Sequence, residues 1–388
     1  MMEAVGAAWD EASLLWVFFS LAMARRFCST VLVRPARRVL SGVQPSGDVH
    51  LGNYLGAIKS WVALQEEYEN YFCVVDLHAV TTPFDRTRVA AETLNTAALF
   101  LACGIDPEKS CVFVQSHVAA HSELAWLLNC STPLAWLERM TQFREKQREG
   151  AAAASGGSGT DEGAGVGLLS YPTLMAADIL LYGPHLVPVG ADQRQHLELT
   201  RDIARRCNRI YRGPKGTPSL FRVPEALIPD AEGGARIMSL DDGTAKMSKS
   251  APRDASRINL LDSPDLIARK IKRAKTDDML GVTAIDEKTG ASRPECANLL
   301  AIYAAARGDD VTPAAVAEEC RAMSWGQFKP LLADALAAYL APIQTEYALL
   351  REDEAHLRSV LRAGAARATA EASPTVARVR DAMGFLAP

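Results

Sequence analysis

The chain has 388 residues, of which 48% are apolar and 23% charged, enough apolar sequence for a sizeable core and a balance that excludes an intrinsically disordered chain. With 42 Lys and Arg against 46 Asp and Glu the net charge is −4, so no global positive field marks a nucleic-acid binder, and any RNA contact must use local basic patches. Eight cysteines without a C-x-x-C pair or clustered spacing exclude a zinc or iron–sulfur framework and read as buried free thiols in a reducing compartment.

The first 37 residues read as a targeting segment outside the fold. An apolar run over 14–24 is shorter than the roughly 20 residues a membrane span needs, and no stable membrane association is expected. It is followed by Arg25, Arg26, Arg34, Arg37 and Arg38 with Ser29 and Thr30 and no acid, the composition of an organelle transit peptide. That composition fits a mitochondrion or a plastid equally. Met23 is an alternative start.

A catalytic domain is expected over 38–250. Val39-Leu40 opens a strand, the turn Gln44-Pro45-Ser46-Gly47-Asp48 follows, and Tyr54, Leu55, Ile58, Trp61 and Val62 recur at helical spacing. Strands are predicted over 71–75, 111–114 and 186–189, and helices over 86–103, 122–130, 175–182 and 192–211. Strands alternating with helices of this length imply a doubly wound, Rossmann-like α/β domain with a parallel sheet. Residues 150–165, rich in Ala, Gly and Ser, read as a flexible surface loop inside that domain. From Ser263 the strands vanish. Ser263-Pro264-Asp265 is a helix start, and helices are predicted over 297–306, 313–323, 328–340, 343–361 and 374–385. Residues 251–388 thus read as an all-helical domain.

Two motifs carry chemistry. His50-Leu51-Gly52-Asn53 sits where a turn enters a helix, and a helix N-terminus presents unpaired N–H groups and partial positive charge to phosphate. Gly52 permits close backbone approach, while His50 and Asn53 can donate to phosphoryl oxygens. Lys246-Met247-Ser248-Lys249-Ser250 places two lysines three residues apart with hydroxyls between them. Such lysines can stabilise the charge that develops as pyrophosphate leaves. Taken singly, the first also reads as a surface cap and the second as a solvated loop.

Together the motifs resemble the nucleotide-binding signature pair of class I aminoacyl-tRNA synthetases. Further strings resemble the bacterial-type (organellar) tryptophanyl-tRNA synthetases in particular: Ser41-Gly42-Val43-Gln44-Pro45-Ser46-Gly47, Val75-Asp76-Leu77-His78-Ala79, Glu138-Arg139-Met140-Thr141-Gln142-Phe143-Arg144-Glu145-Lys146, Met175-Ala176-Ala177-Asp178-Ile179-Leu180-Leu181-Tyr182 and Pro188-Val189-Gly190-Ala191-Asp192-Gln193. The resemblance implies activation of tryptophan with ATP, Mg2+ being held mainly by the nucleotide phosphates, and transfer to tRNA(Trp) by a homodimer. It implies that Gln44, Gly52, Asn53, Gly190, Ala191, Asp192, Ile237, Lys246, Met247, Ser248, Lys249 and Ser250 line the ATP site. Lys146 would reach the phosphates. His50, Asn53, Lys146, Lys246 and Lys249 would be the catalytic set. Asp178 would accept the indole N–H, with Leu40, Gly42, His78, Tyr171, Met175, Val187, Val189 and Gln193 around the amino acid. The helical domain would read the anticodon, and its last helix would pack back on the catalytic domain.

On the residues alone, Asp178 lies on an otherwise apolar helix, where a buried acid needs a partner. An indole N–H only donates and an ionised carboxylate only accepts, so the two fit. The alternative, that Asp178 is the solvent side of an amphipathic helix, stays open. The sequence departs from the family pattern in Ala191, where Glu is usual, in Arg144, where Lys is usual, and in a longer 150–165 stretch. Two basic helix faces are candidates for RNA: Arg201, Arg205, Arg206, Arg209 and Arg212, better read as a solvated face, and Arg269, Lys270, Lys272, Arg273 and Lys275. Rival functions are a tyrosine-specific synthetase, a catalytically silent RNA-binding paralogue and a small-metabolite nucleotidyltransferase.

Overall fold

Five short apolar stretches become the strands of one sheet: β1 (Arg38–Val43), β2 (Glu69–Val74), β3 (Cys111–Val114), β4 (Leu186–Pro188) and β5 (Glu225–Leu227). The structure is a computed structural model that describes residues 37–45, 49–81, 83–144, 165–190, 193–227, 237–249, 251–279, 281–286, 289–308 and 310–387. Residues 1–36, nearly all of the 150–165 stretch, and the candidate site residues Lys146, Ala191, Asp192 and Ser250 lie outside the described residues.

The strand order is β3-β2-β1-β4-β5, and every neighbouring pair is parallel. Leu40 stands opposite Tyr71, Cys73 opposite Phe113 and Val39 opposite Leu186. The chain winds outward from β1 to β3, then returns to the centre and winds the other way through β4 and β5. The order therefore reverses between β1 and β4, and in doubly wound sheets ligands bind beyond the carboxyl ends of the strands at such a point.

Side chains alternate across each strand, which gives the sheet two buried faces. On one face Phe72, Val74, Val112 and Val114 pack against α1, which runs through Leu51–Asn53, a π-helical turn at Tyr54–Ile58 and Lys59–Leu64. The second helix there is α3 (Val89–Ala102); α2 (Asp76–Ala79) is a single turn at the end of β2. On the other face Leu40, Tyr71, Cys73 and Phe113 meet α4 (Ala120–Ser131), α6 (Val166–Tyr182) and α7 (Arg194–Ile210), with the one-turn α5 (Leu134–Leu137) beside them. Six of the seven described cysteines are buried and Cys130 is exposed; all seven are free thiols.

Beyond the sheet come α8 (Pro264–Arg273), α9 (Pro294–Arg307), α10 (Pro313–Cys320), α11 (Trp325–Glu352) and α12 (Glu354–Ala382). The Ser263 side chain caps α8 by accepting from the Leu266 N–H. One core runs across the 250/251 boundary, since Ile58, Phe100 and Val112 share a cluster with Ile267, Leu300 and Leu336. The last helix lies against the sheet: Ala368, Ala372, Val376 and Val379 share the second core with Phe113 and Leu124, and Arg38 in β1 pairs with Glu371. Gly364 lets α12 approach β3 so closely that an added Cβ would stand 1.8 Å from the Val112 carbonyl oxygen.

Three expectations need correction. α6 begins at Val166, not at 175, and contains Pro172. The helices read over 328–340, 343–361 and 374–385 are two, broken at Asp353, with Pro330, Pro342 and Pro374 internal. An interior proline costs about 3 kcal/mol, and here the helix persists because Leu336, Leu340, Ile343 and Leu350 are buried around it. At Asp353 the side chain accepts from the His356 N–H and starts a new helix. β5 was not foreseen, because three residues are too few to show a period.

The basic faces also resolve. Lys270 is 3% exposed and bonds Asp254 and Asp262, each at 2.7 Å, so it belongs to the interior and leaves the proposed RNA-facing set. Arg269, Lys272, Arg273 and Lys275 remain exposed, with Lys275 paired to Glu295. On α7, Arg201 and Arg205 pair with Glu198 and Asp202 one turn away. Among the described residues no helix is long and apolar enough to cross a membrane.

Candidate active site at the carboxyl ends of the strands

The turn after β1 delivers His50 as the cap of α1. Its Nδ1 accepts the Asn53 backbone N–H at 3.2 Å, while Asn53 Oδ1 accepts the His50 N–H at 3.3 Å, a reciprocal capping box. Acceptance at Nδ1 puts the ring proton on Nε2, leaving that N–H as a donor. Burial, then the charges of Lys249, Arg257 and Lys246, pull the His50 pKa down to about 4, so the ring is neutral at pH 7.

The two motifs, far apart in sequence, meet here. A Cβ on Gly52 would lie 3.1 Å from His50 Nδ1 and 3.4 Å from Met247 Cβ, so the middle of the lysine motif rests on the start of α1. Met247 is buried and acts as the anchor, while Lys246 is exposed and Ser248 and Lys249 are half-buried. The anchor continues through a hairpin. Met247 N–H donates to the Ile237 carbonyl at 3.2 Å, Met238 pairs antiparallel with Lys246, and Ser239 N–H donates to Ala245 at 2.7 Å. Asn298 on α9 clamps that hairpin by accepting from Met238 N–H and donating to its carbonyl. A second strap holds the helix start, with Leu51 N–H donating to Ile258 and Leu260 N–H to Val49. Gln44 and Gly190 stand exposed just beyond β1 and β4.

A second group of candidate residues is sealed. Asp178 on α6 is 5% exposed, which removes the solvent-face alternative. Its Oδ1 lies 2.6 Å from His121 Nδ1 and accepts from Gln115 Nε2 at 2.7 Å, and its Oδ2 lies 2.8 Å from His78 Nε2. Burial works to raise this carboxyl's pKa, but the hydrogen bonds from His121 and His78 overcome it and hold the group far below the usual carboxylate range. A buried anion is thus kept ionised by its donors. His78 meets the Tyr171 ring edge-on at 6.2 Å. Tyr171 Oη lies 2.7 Å from both Gln142 Oε1 and His196 Nε2, and burial pushes its pKa to about 12, so it is neutral.

Leu40, Val187 and Val189 are buried in the same core cluster, with Met175 packed against it. At Gly42 a Cβ would press Val75 Cγ1 at 2.9 Å, so only glycine fits without moving that side chain. Gln193 is half-buried at the start of α7. The structure thus brings His50, Gly52, Asn53, Ile237 and the lysine motif together, and groups Asp178, His78 and Tyr171. Gln115, His121, Tyr182, Gln142 and His196 were missed as site residues. His121 had a faint signal, since it precedes Leu124 and Leu128 by helical spacing on a buried stripe, and Gln115 directly follows four buried strand residues.

A doubly wound parallel sheet with a capped glycine helix and a lysine hairpin meeting at its carboxyl edge defines the class I aminoacyl-tRNA synthetase type of catalytic fold. The family described as "tRNA synthetases class I (W and Y)" matches residues 34–341. The chain belongs to this family. It is 57% identical over 350 residues to the tryptophan–tRNA ligase of Thermosynechococcus vestitus, covering 90% of this chain and 100% of that one. It is 54% identical to the chloroplastic/mitochondrial tryptophan–tRNA ligase of Arabidopsis thaliana, covering 90% and 83%. Among solved structures, tryptophanyl-tRNA synthetase from Campylobacter jejuni, complexed with ADP and tryptophan, superposes with a TM-score of 0.72 at 32% identity, covering 90% and 100%.

Proposed function

We propose that the chain is a tryptophan–tRNA ligase, and that the two halves of the site divide the first step between them. The observation that carries this reading is the buried Asp178 carboxylate, held ionised by donors from His78, His121 and Gln115. An indole N–H can only donate, and a hydrogen bond to a charged acceptor is worth about 1.5–3 kcal/mol. A phenol also donates, so rejection of tyrosine rests on the shape set by Leu40, Met175, Val187 and Val189.

The tryptophan carboxylate attacks the α-phosphorus of ATP, and pyrophosphate leaves. ATP enters as its magnesium complex, the ion carried mainly by the phosphates. The α1 N-terminus and His50 Nε2–H take phosphoryl oxygens, with Gln44, Gly190 and Ile237 around the nucleoside. Lys246 and Lys249 stabilise the charge developing on pyrophosphate; Lys146 and Asp192, which the family resemblance assigns to ATP, lie outside the described residues. No side chain acts as nucleophile, so the barrier falls through positioning and charge stabilisation. The terminal ribose 2′-OH of tRNA then attacks the adenylate's carbonyl carbon, forming the ester and losing its proton as the acyl–phosphate bond breaks and AMP leaves. Exposed Arg269, Lys272 and Arg273 on α8 are the basic side chains assigned to tRNA, and the helices from 264 onward are assigned the anticodon.

ATP–pyrophosphate exchange by the purified protein with each of the twenty amino acids tests this reading. Exchange with tryptophan alone is expected; exchange with tyrosine, or with none, would replace it with the tyrosine-specific or the silent alternative. The arginine-rich leader and the Arabidopsis relative's designation favour an organelle as the site of action, which a fluorescent reporter carrying residues 1–40 would locate. We assign a homodimer as well, tested by light scattering.

A further inference from the structure

The Asp178 carboxylate has about four acceptor positions, two on each oxygen. Three are used inside the protein, and their distribution is uneven: Oδ1 receives both His121 Nδ1 and Gln115 Nε2, and Oδ2 receives only His78 Nε2. Among the described residues one position remains, on Oδ2, the oxygen shared with His78, whose ring in turn meets Tyr171 edge-on.

The donors on Oδ1 are themselves held. His121 is fully buried, and its Nε2 lies 2.8 Å from the Tyr182 hydroxyl. Asp178 Oδ1 can only accept, so Nδ1 carries the ring proton, and in that tautomer Nε2 accepts from the Tyr182 phenol, whose pKa burial holds well above its usual range. That hydrogen bond reinforces the tautomer with its proton on Nδ1, facing Asp178, much as outer partners fix the tautomer of metal-binding histidines. Tyr182 is in turn fixed by stacking on Tyr71, with ring centroids 4.9 Å apart at 27°, and by Phe113 at 5.6 Å. Gln115 is oriented by its other end: Oε1 accepts the Leu77 backbone N–H at 3.1 Å, so the amide cannot flip without losing both bonds. Leu77 immediately precedes His78, so one short turn sets both the Gln115 amide and the His78 ring.

We propose that His121 and Gln115 are positioning residues for amino-acid selection: they fill Oδ1 of Asp178, so that the single open acceptor position, on Oδ2, is presented to the indole N–H. This rests on the reading that Asp178 receives that N–H. Neither residue touches the substrate. Each acts through the carboxylate, by preventing it from rotating or from taking up a proton that would turn an acceptor into a donor.

The test is the ratio of kcat/KM for tryptophan to that for 3-benzothienylalanine, in which sulfur replaces the indole N–H, measured by pyrophosphate exchange. His121→Leu is expected to lower the ratio about tenfold or more, through KM for tryptophan, while kcat/KM for the sulfur analogue stays within about threefold. His121→Asn, whose amide nitrogen can occupy the place of Nδ1, is expected to recover most of the ratio. Gln115→Met and Tyr182→Phe provide independent arms should His121→Leu fail to fold, with smaller falls in the same ratio. Equal losses on both substrates in these variants, with Asp178→Asn alone collapsing the ratio, would overturn the positioning role and leave the Asp178 reading standing. A wild-type ratio in Asp178→Asn would overturn that reading and the inference with it.

Discussion

In the half proposed to bind the nucleotide, each motif is a short run of neighbouring residues and its lysines are near the surface, Lys246 exposed and Lys249 half-buried beside the start of α1. In the half proposed to bind the amino acid the working groups come from separate parts of the chain and are sealed, with Asp178 held by donors from α2, from the turn after β3 and from α4. The difference follows from the tasks. On the proposed mechanism, charge that appears only as pyrophosphate leaves would be met by cations on a hairpin, whereas choosing one side chain among twenty would call for an acceptor fixed in place.

If the halves work separately, breaking each should leave a different kinetic signature. The largest effect is expected from Lys249→Ala, which should lower kcat for pyrophosphate exchange about 100- to 1000-fold with tryptophan KM within about threefold; an unchanged kcat would remove the lysine from the chemistry. Asp178→Asn should lower kcat/KM for tryptophan about 10- to 150-fold, the equivalent of about 1.5–3 kcal/mol, and should do so through KM; steady-state kinetics with tryptophan varied decides it.

Away from both halves, Gly364→Val should destabilise the fold by about 1–3 kcal/mol or more, since a Cβ there would meet the Val112 carbonyl at 1.8 Å. A melting curve reads this, and an unchanged midpoint would mean that α12 moves freely off β3. The smallest effect concerns pH. The unfolded chain protonates His50 near pH 6.5, and the folded chain only near pH 4. Stability therefore falls as pH drops from 6.5 towards 4, because the unfolded state binds the extra proton across that window. Titrating the melting midpoint of His50→Gln against wild type should show a shallower slope there, and identical slopes would show that His50 is not held neutral.

What the sequence made legible tracks the same division. The helix cap, the glycine and the paired lysines are spelled by neighbouring residues, so their chemistry could be read before their meeting was seen. Asp178 stood out through the family resemblance; on the residues alone, an acid on an apolar helix left both a buried, partnered reading and a solvent-facing one open. Its partners Gln115 and His121 did not, since their role depends on β3 and α4 converging on α6, which no local spacing encodes. The continuous apolar run of β2 was equally plain, while the prolines misled: Pro342 and Pro374 suggested helix ends, yet tertiary burial carries α11 and α12 through them. Lys270 read as surface charge because its two carboxylate partners, Asp254 and Asp262, lie outside its own helix.

A double-variant cycle in tryptophan-dependent pyrophosphate exchange tests the division of labour most directly, using Lys249→Ala, Asp178→Asn and the pair. The expected result is that the two losses multiply to within about twofold, a near-independence typical of sites that do not share partners, with kcat following Lys249 and KM following Asp178. A double variant no slower than Lys249→Ala alone, or a tryptophan KM untouched by Asp178→Asn, would contradict it.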